Sequence, residues 1–225
     1  MEQLVIYDIS YPKKRIGKQY DGGYVVSELP GGYDAMISGG SSNDSFEKSI
    51  LDHNPVPFFT FDGSNESLSS VHGYIKPYSN VLMKIDIEGR EFRLFPTFSG
   101  DQMKKIKQLV VEIHTPGDIH LHPEYFKGLS DITHKHMFEM LEIINRTHTL
   151  VHLHPNNVCK THWVDGIMLP NVFECTFVRN DFIDTKKANT KRIPQSIDMP
   201  NSPSRPIVLF DHYPFVSVSS ISNNQ

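Results

Sequence analysis

One stretch of the chain places charged side chains on a segment that reads as a buried strand. The sequence VLMKIDIEGREF puts Lys84, Asp86 and Glu88 at alternate positions, so in a strand these side chains share one face. A glycine turn and Glu91 follow directly. An internal ion network would explain the charges, but removing them from water makes such a network a costly source of stability. Carboxylates with shifted pKa values at a strand end usually mark a functional site, and we favour that interpretation.

Two later apolar segments also end in ionisable side chains. The sequence LVVEIHTP presents Glu112 and His114 on one face before Pro116, and VHLHPNN presents His152 and His154 on one face. In a parallel sheet, ligands bind beyond the carboxyl ends of the strands. We therefore expect these groups to converge with the acids of the preceding strand.

Two kinds of chemistry suit such a cluster, and the sequence leaves both open. Asp86, Glu112, His114 and His154 can hold a divalent cation such as Mg²⁺ or Mn²⁺ beside a substrate oxygen. Alternatively, His114 or His154 is a general base that takes the proton of a hydroxyl, while Asp86 or Glu88 orients the bound groups. The candidate catalytic residues are Asp86, Glu88, His114 and His154.

The segments after the first two sheet strands have the composition of a site for a nucleotide-like ligand. Glycines let the backbone approach a ligand, a side-chain oxygen can cap the next helix, and Asp62 can hydrogen bond to both hydroxyls of a ribose. The simpler alternatives are a tight turn at the glycines and an Asx turn at Asp62. The residues assigned to cofactor binding are Gly39, Gly40, Ser42, Asp44, Ser45, Asp62, Gly63 and Ser64.

The elements that position these groups alternate along the chain. Short apolar segments predict strands over 33–38, 56–62, 80–86, 107–114, 149–154 and 174–180. Helical patterns occur over 45–53, 91–99, 101–107 and 134–146, and His134 and His136 on the last are interpreted as surface or core residues. This alternation predicts an α/β fold with a mainly parallel sheet and helices on both faces. The last two strands are joined without a helix and are expected to be antiparallel.

Composition favours a single ordinary domain. With 225 residues, 38% hydrophobic and 21% charged, the chain is long enough to bury a core. We divide it into an N-terminal hairpin or lid over 1–32, a core over 33–181 and an extended tail over 182–225. The tail is rich in Pro, Ser and Asn, so we expect it to wrap the surface without forming a core element.

Charge and cysteine content limit the partners and the compartment. The 22 Lys and Arg nearly balance 26 Asp and Glu, so nucleic acid and anionic membranes are not expected partners. The two cysteines, Cys159 and Cys175, are too few for a disulfide scaffold and have no zinc-binding spacing. No apolar run approaches the roughly 20 residues of a membrane span. A cytoplasmic location is therefore predicted.

Several blocks of the sequence, in this order, resemble the FkbM-type S-adenosylmethionine-dependent methyltransferases, especially their eukaryotic and giant-virus-like branch. The resemblance extends from about Arg15 to Arg205, and the block from Lys84 to Gly89 is its most specific part. The blocks are RIGKQYDGGYVV, SNDSFE, LMKIDIEGREF, LVVEIH, LHPNN, LPNVFECTFVRND and IDMPNSPSRP.

The resemblance implies a Rossmann-like class I methyltransferase sheet whose last strand is antiparallel, with S-adenosylmethionine as the cofactor. It also implies O-methylation, commonly of a sugar hydroxyl such as that of a deoxyhexose like rhamnose within a glycan. Similar modules accompany glycosyltransferases in large algal viruses, which implies a sugar or oligosaccharide acceptor, a glycosyltransferase domain as a partner, and the host cytoplasm as the location if the protein is viral.

The chain departs from the family pattern at two points. Gly39 and Gly40 are followed by two serines, where many relatives carry a Gly-x-Gly turn. Only SNESLSSVHGYIKPYS separates the second strand from the third, so we expect the strand and helix that normally help to enclose adenine to be missing.

Two other functional classes compete with methyl transfer. A glycan-binding module on the same fold would use Trp163 and Tyr24 as stacking platforms and would have no turnover. A metal-dependent hydrolase would use the histidines and carboxylates with metal but without S-adenosylmethionine, although the sequence contains no nucleophile motif for it. Binding of the cofactor separates these classes.

Overall fold

The computed structural model describes residues 1–40 and 45–217. The strands are β1 (Tyr7–Asp8), β2 (Lys13–Gly17), β3 (Gly23–Ser27), β4 (Ala35–Gly39), β5 (Phe58–Phe61), β6 (Val81–Ile85), β7 (Ile106–His114), β8 (His148–Pro155), β9 (Thr161–Val164), β10 (Ile167–Pro170), β11 (Val172–Arg179) and β12 (Lys187–Ala188). The α-helices are α1 (Ser45–His53), α2 (Asn65–Ile75), α3 (Glu91–Leu94), α4 (Gly100–Met103), α5 (Pro116–Ile119) and α6 (His134–Asn145). No helix of the described segments is long and apolar enough to cross a membrane.

The central sheet has six strands in the order β5-β4-β6-β7-β11-β8. Strands β5, β4, β6 and β7 are parallel, and β11 is antiparallel to both of its neighbours, β7 and β8. The predicted mainly parallel sheet and the predicted antiparallel pair are confirmed. Strand β11, although later in the chain, lies between β7 and β8, so β8 is an edge strand.

Both faces of the sheet are covered, because successive strand residues point in opposite directions. On one face, Tyr24 and Val26 of β3 and Phe46 of α1 pack against Met36 and Leu82 of the sheet. The other face carries a larger core to which α2, α3 and α6 contribute. Helices on both faces, as predicted, leave the two ends of the strands as the exposed edges of the sheet.

Helix α2 occupies the stretch in which a helix was expected to be missing. Ser64 caps it by accepting a hydrogen bond from the backbone of Ser67, and Val71 and Ile75 bury its inner face. The prediction was therefore wrong for the helix. Among the residues described, no strand pairs with the outer side of β5, so the absence of the extra strand is confirmed and β5 is the other edge of the sheet.

Two hairpins flank the sheet. The N-terminal one pairs β2 with β3 from Lys13 opposite Ser27 to Gly17 opposite Gly23, in agreement with the hairpin interpretation of residues 1–32. The second pairs β9 with β10 inside the β8–β11 connection and was not predicted. Its Trp163 is 70% exposed.

The C-terminal tail is more closely integrated than its composition indicated. Strand β12 pairs with β1, and the side chains of Ile193, Phe210 and Phe215 are fully buried. The tail therefore wraps the surface but also adds apolar side chains to the core. Residues 218–225 lie outside the described part of the tail.

Candidate active site

The glycine turn after β4 is required by its own packing. Gly40 has φ +103°, and a Cβ at this position would lie 1.8 Å from the carbonyl oxygen of Asp86. A Cβ on Gly39 would lie 2.3 Å from the ring of Phe61. The tight-turn interpretation of these glycines therefore has a direct steric basis. It also brings the ends of β4 and β6 into contact, since the amide of Asp86 donates to the carbonyl of Gly39 over 3.1 Å.

The remaining polar residues of this turn are only partly described. Ser45 begins α1, and its Oγ accepts a hydrogen bond of 2.6 Å from the backbone of Lys18 in the N-terminal hairpin. Ser42 and Asp44, both predicted to bind the cofactor, lie outside the described residues. The Ser45 contact ties the hairpin loop to the start of the helix.

Asp62 follows β5 and forms the predicted Asx turn. Its Oδ1 accepts hydrogen bonds from the backbone of Ser64 at 2.9 Å and from Oγ of Ser67 at 2.6 Å. These bonds lower the pKa of the exposed Asp62 carboxyl to about 2. Both bonds fall on the same oxygen, and Oδ2 receives no hydrogen bond from the residues that the structure describes. The turn thus fixes the orientation of Asp62 without using its full capacity as an acceptor.

Asp86, directly after β6, is held from two sides. Lys84 Nζ and the hydroxyl of Tyr24 each donate to its Oδ2 over 2.9 Å. Burial favours the protonated form, but Lys84 and the hydrogen bonds from Glu112 and Tyr24 outweigh it and lower the pKa of Asp86. Asp86 is therefore a fixed carboxylate, and Lys84 is the partner that the alternating charge pattern indicated.

His114, at the end of β7, is surrounded by carboxyl groups. Its Nδ1 lies 2.9 Å from Oδ2 of Asp118, and its Nε2 lies 3.2 Å from Oε2 of Glu88 and 3.6 Å from Oε2 of Glu112. Burial alone would lower the pKa of His114, but the three acids outweigh it and raise the pKa. Neither contact of the buried Nε2 is aligned as a hydrogen bond. In the metal-free protein this nitrogen therefore carries a proton without an aligned acceptor, and it would have to release that proton to bind a cation.

Three glutamates with little exposure lie on or beside these strands, of which Glu91 and Glu174 are buried and Glu112 is partly buried. Burial raises the pKa of Glu112 to about 8 and the pKa values of Glu91 and Glu174 to about 7. Glu112 lies opposite Glu174 in the β7–β11 pairing, and Oε1 of Glu91 accepts a hydrogen bond of 3.0 Å from the backbone of His114. The sheet edge beside Asp86 is thus lined by carboxyl groups that favour the protonated form.

The structure separates His154 from the other predicted metal ligands. Its strand, β8, is separated from β7 by β11, which places it roughly 10 Å from β7 at ordinary strand spacing. Nε2 of His154 is 3.1 Å from Oδ1 of Asn201, and Nδ1 is 3.6 Å from Asp198. His152 also contacts Asp198, at 2.7 Å. Both imidazoles therefore bind the C-terminal tail.

Asp62, Asp86 and Glu88 meet in a cleft of about 400 Å³ at the carboxyl ends of β4, β5 and β6. Its walls are acidic, with one arginine and two aromatic side chains at the rim. We call it the carboxyl-edge cleft, and its lining residues are Gly40, Asp62, Asp86, Ile87, Glu88, Arg90, Tyr125 and Phe126. A larger cavity of about 590 Å³ opens at the other end of the strands, but its Arg179 donates to the backbone of Ser79 and Lys104.

Three side chains of this region are arranged as ligands for a cation. One oxygen each of Asp86 and Glu88 and one ring nitrogen of His114 lie within 4.8 Å of one another. Asp118 holds the other nitrogen of His114, and a carboxylate in that position orients a metal-bound imidazole. The sequence reasoning missed Asp118. Its signal was its position four residues after His114, on the short helix α5 that directly follows β7.

Comparison with known proteins adds little to this geometry. No family model and no curated protein matches the chain. Among solved structures, the plantazolicin methyltransferase BpumL in complex with SAH is similar, with a TM-score of 0.30 and 9% sequence identity over 66% of this chain and 76% of that chain. A similarity at this level carries no functional argument for this chain, so function must be argued from the site itself.

Proposed function

We propose that this protein is an S-adenosylmethionine-dependent O-methyltransferase whose reaction takes place in the carboxyl-edge cleft. The observation that carries the proposal is the meeting of Asp62, Asp86 and Glu88 in one open cleft at the carboxyl ends of parallel strands. The sheet order, with its single antiparallel strand between β7 and β8, supports a class I methyltransferase topology. The resemblance of the sequence blocks to FkbM-type enzymes points to the same class.

The charges of the cleft suit this cofactor. S-adenosylmethionine, when bound, supplies a methyl group on a positively charged sulfur, which is a good leaving group. Asp62 is placed to accept hydrogen bonds from ribose hydroxyls through Oδ2, and Asp86 provides negative charge for the cationic methionine end. A cleft of about 400 Å³ lies within the range of small-ligand sites. With β5 at the sheet edge, the adenine side is open.

Glu88 is the group that we propose takes the proton of the acceptor hydroxyl. Its side chain is 50% exposed at the cleft, 3.2 Å from His114 Nε2, and its backbone has φ +54°, a left-handed conformation that directs it away from the strand. Asp86 is less suited as a base, because Lys84 and Tyr24 already donate hydrogen bonds to its Oδ2. In the metal-free protein, protonated His114 is less suited as a base and instead stabilises the acids around it, and binding of a cation at Nε2 would release its proton.

We further propose that Asp86, Glu88 and His114 hold Mg²⁺ or Mn²⁺, with Asp118 orienting the imidazole. The donors fit, because two carboxylates and one imidazole lie within 4.8 Å and Nε2 has no aligned partner. Such a cation would supply a Lewis acid that favours ionisation of a sugar hydroxyl. Glu112 stays beside this set, and His154 lies outside it, so the ligands differ from those proposed from the sequence.

The acceptor class that we propose is a sugar or oligosaccharide. Tyr125 supports it, since its ring is 65% exposed at the cleft rim and offers a stacking surface beside acids that can bind hydroxyl groups. The resemblance supports further proposals. The acceptor is a deoxyhexose within a glycan, a glycosyltransferase is the partner, the location is cytoplasmic, and the origin is viral.

The test combines binding with product analysis. Calorimetry with S-adenosylmethionine is followed by mass spectrometry for one added methyl across a panel of sugars, with and without chelator. We expect binding, transfer that chelator abolishes, and a loss of turnover of about 10²-fold or more in Glu88→Gln with cofactor affinity retained. Glu66→Gln, at an exposed position on α2, is the matched control and should behave as wild type.

The alternative functions are outcomes of the same experiment. Sugar binding without cofactor binding would identify a glycan-binding module, and hydrolysis that needs metal but no S-adenosylmethionine would identify a hydrolase. Either result would overturn the methyltransferase proposal. Transfer that is insensitive to chelator would overturn only the metal proposal.

A further inference from the structure

Two histidines outside the carboxyl-edge cleft face each other between the β9–β10 hairpin and the start of α6. Nε2 of His162 in β9 lies 2.9 Å from Nε2 of His134, and the two rings stack with centroids 5.1 Å apart and planes 30° apart. The residues are 28 positions apart in the chain, so tertiary structure brings them together. The proposed methyl transfer does not use this pair.

His162 is held in one orientation by its surroundings. Its Nδ1 lies 2.9 Å from Oδ1 of Asn171, a buried side chain whose amide nitrogen donates to the carbonyl of Gly117. Because that second bond identifies Oδ1 as the acceptor, Nδ1 of His162 must donate. A neutral imidazole that donates from Nδ1 has its lone pair on Nε2, the atom that faces His134.

The contact also packs tightly. A Cβ on Gly117 would lie 2.5 Å from the ring of His162, so the imidazole rests directly on the backbone of α5. Burial lowers the pKa values of both histidines, and the neighbouring His162 lowers that of His134 further. The geometry of the pair, in which the two Nε2 atoms face each other over 2.9 Å, does not depend on these shifts.

We propose that His134 and His162 form a binding site for a divalent transition metal, with zinc as the preferred metal. This site is separate from the oxygen-rich cleft. Two nitrogens bound to one tetrahedral zinc at 2.0–2.1 Å lie about 3.3 Å apart, so the observed pair needs only a small separation of its rings. The carbonyl of Asn171 behind His162 is the outer partner that orients a metal-bound imidazole. Imidazole pairs favour zinc, nickel and copper over magnesium.

Two further side chains can complete the coordination. His120, at the end of α5, lowers the pKa of His134, and Asp165, in the turn of the β9–β10 hairpin, raises it, so both are near the pair. Both are exposed, and each side chain would have to move to reach the metal. Asp118, which raises the pKa of His162, points to His114 instead. A bound metal would fasten the hairpin that carries Trp163 to helix α6.

The wild-type protein allows a direct test. Diethyl pyrocarbonate modifies accessible imidazoles, and peptide mass spectrometry measures the rate at each histidine with and without Zn²⁺. At a zinc concentration about tenfold above the dissociation constant, we expect the modification of His134 and His162 to slow together by about tenfold. His53, exposed on α1, should react at the same rate in both samples. Equal rates at His134 and His162 with and without zinc would overturn the proposal.

Variants provide an independent measurement. Calorimetric titration of metal-free protein with Zn²⁺ should show one equivalent fewer in His162→Gln than in wild type, whereas His53→Gln should keep the wild-type number. Asn171→Ala should weaken that equivalent by about 10- to 100-fold. Wild-type stoichiometry and affinity in His162→Gln, with circular dichroism unchanged, would contradict the site. Neither readout depends on methyl transfer.

Discussion

Asp118 determines the protonation of His114 at the scale of single residues. It is 4% exposed, and its carboxylate lies 2.9 Å from Nδ1 of an imidazole that Glu88 and Glu112 approach from the other side. Asp118, which was not predicted from the sequence, is therefore the acid that orients the imidazole of His114 through Nδ1. The sequence patterns indicated ligands at the last positions of strands, whereas Asp118 lies on the short helix α5 that follows β7.

Replacing Asp118 by Asn should lower the pKa of His114 in the metal-free protein. The variant keeps a hydrogen-bond partner for Nδ1 but loses the negative charge that favours the imidazolium. Titration of the imidazole by NMR measures the change. Asp101→Asn, whose side chain is 91% exposed, should leave the titration of His114 unchanged. An unshifted midpoint in Asp118→Asn would show that Asp118 does not set the charge.

The glycine turn between β4 and α1 connects two elements of the fold through the packing of single residues. Its sequence indicated a close approach of backbone, and the structure shows that the approach is to Asp86. The turn therefore positions the end of β6 that carries Asp86.

Gly40→Ala should destabilise the protein by about 1 to 3 kcal/mol or more, because φ +103° is strained for alanine and its Cβ would overlap the Asp86 carbonyl. Gly73→Ala is the matched control. This glycine lies in α2 with no atom within 4 Å of an added Cβ, so alanine should stabilise the protein by about 0.5 to 1 kcal/mol. Denaturant unfolding measures both changes, and equal effects would contradict the role of the turn.

One buried carboxylate, Asp198, contributes to the attachment of the C-terminal tail. Asp198 accepts from His152 at 2.7 Å and approaches Nδ1 of His154 at 3.6 Å, and its side chain is 2% exposed. Burial opposes its ionisation, but the hydrogen bonds and charges of both histidines lower the pKa of Asp198. The Pro- and Ser-rich composition gave no sign of this contact, since one buried acid is invisible in a composition.

Asp198→Asn should destabilise the protein by about 3 to 5 kcal/mol at neutral pH, because it removes the carboxylate partner of the buried ionic contact with His154, whose pKa is raised. A carboxyl with a lowered pKa contributes stability that is present above the pKa of the unfolded chain and is lost as the pH falls. The difference from wild type should therefore shrink as the pH falls below about 4. Urea unfolding at several pH values measures it, and the exposed Asp211→Asn should match wild type. A pH-independent difference would argue against the ionic contact.

For the whole molecule, the sequence predicted the strands better than their arrangement. Buried apolar runs such as those of β6 and β7 are strong local signals, so their positions agreed with prediction. The insertion of β11 between β7 and β8 is set by tertiary packing, which local sequence patterns do not reveal. It explains why His154 was predicted as a metal ligand but lies apart from Asp86, Glu88 and His114. Helix α2 was missed because its serines mask an apolar stripe at Leu68, Val71 and Ile75.

The carboxyl groups along the sheet edge affect the stability of the whole fold. Burial raises the pKa of Glu174 to about 7, against about 4.3 in an unfolded chain. Between these values Glu174 binds more protons in the folded protein than in the unfolded chain, so its contribution to stability decreases as the pH rises.

Glu174→Gln removes that dependence. The stability of the variant relative to wild type should increase by about 2 to 4 kcal/mol between pH 4 and pH 8, at about 1.4 kcal/mol per pH unit over the titration range. The amide can still accept from Asn201, so the local hydrogen bond is retained. Glu124→Gln, at an exposed position, should show no such trend. A constant difference between Glu174→Gln and wild type would mean that Glu174 is ionised in the folded state.

The central claim is that the carboxyl-edge cleft binds the methyl donor, and titration of ¹⁵N-labelled protein with S-adenosylhomocysteine tests it most directly. We predict saturable shifts at the amides of Gly40, Gly63 and Ile87, which surround the cleft. The amides of Ser79 and Thr147, at the opposite end of the strands, should not move. Shifts confined to Ser79 and Thr147, or no shifts at all, would contradict the account.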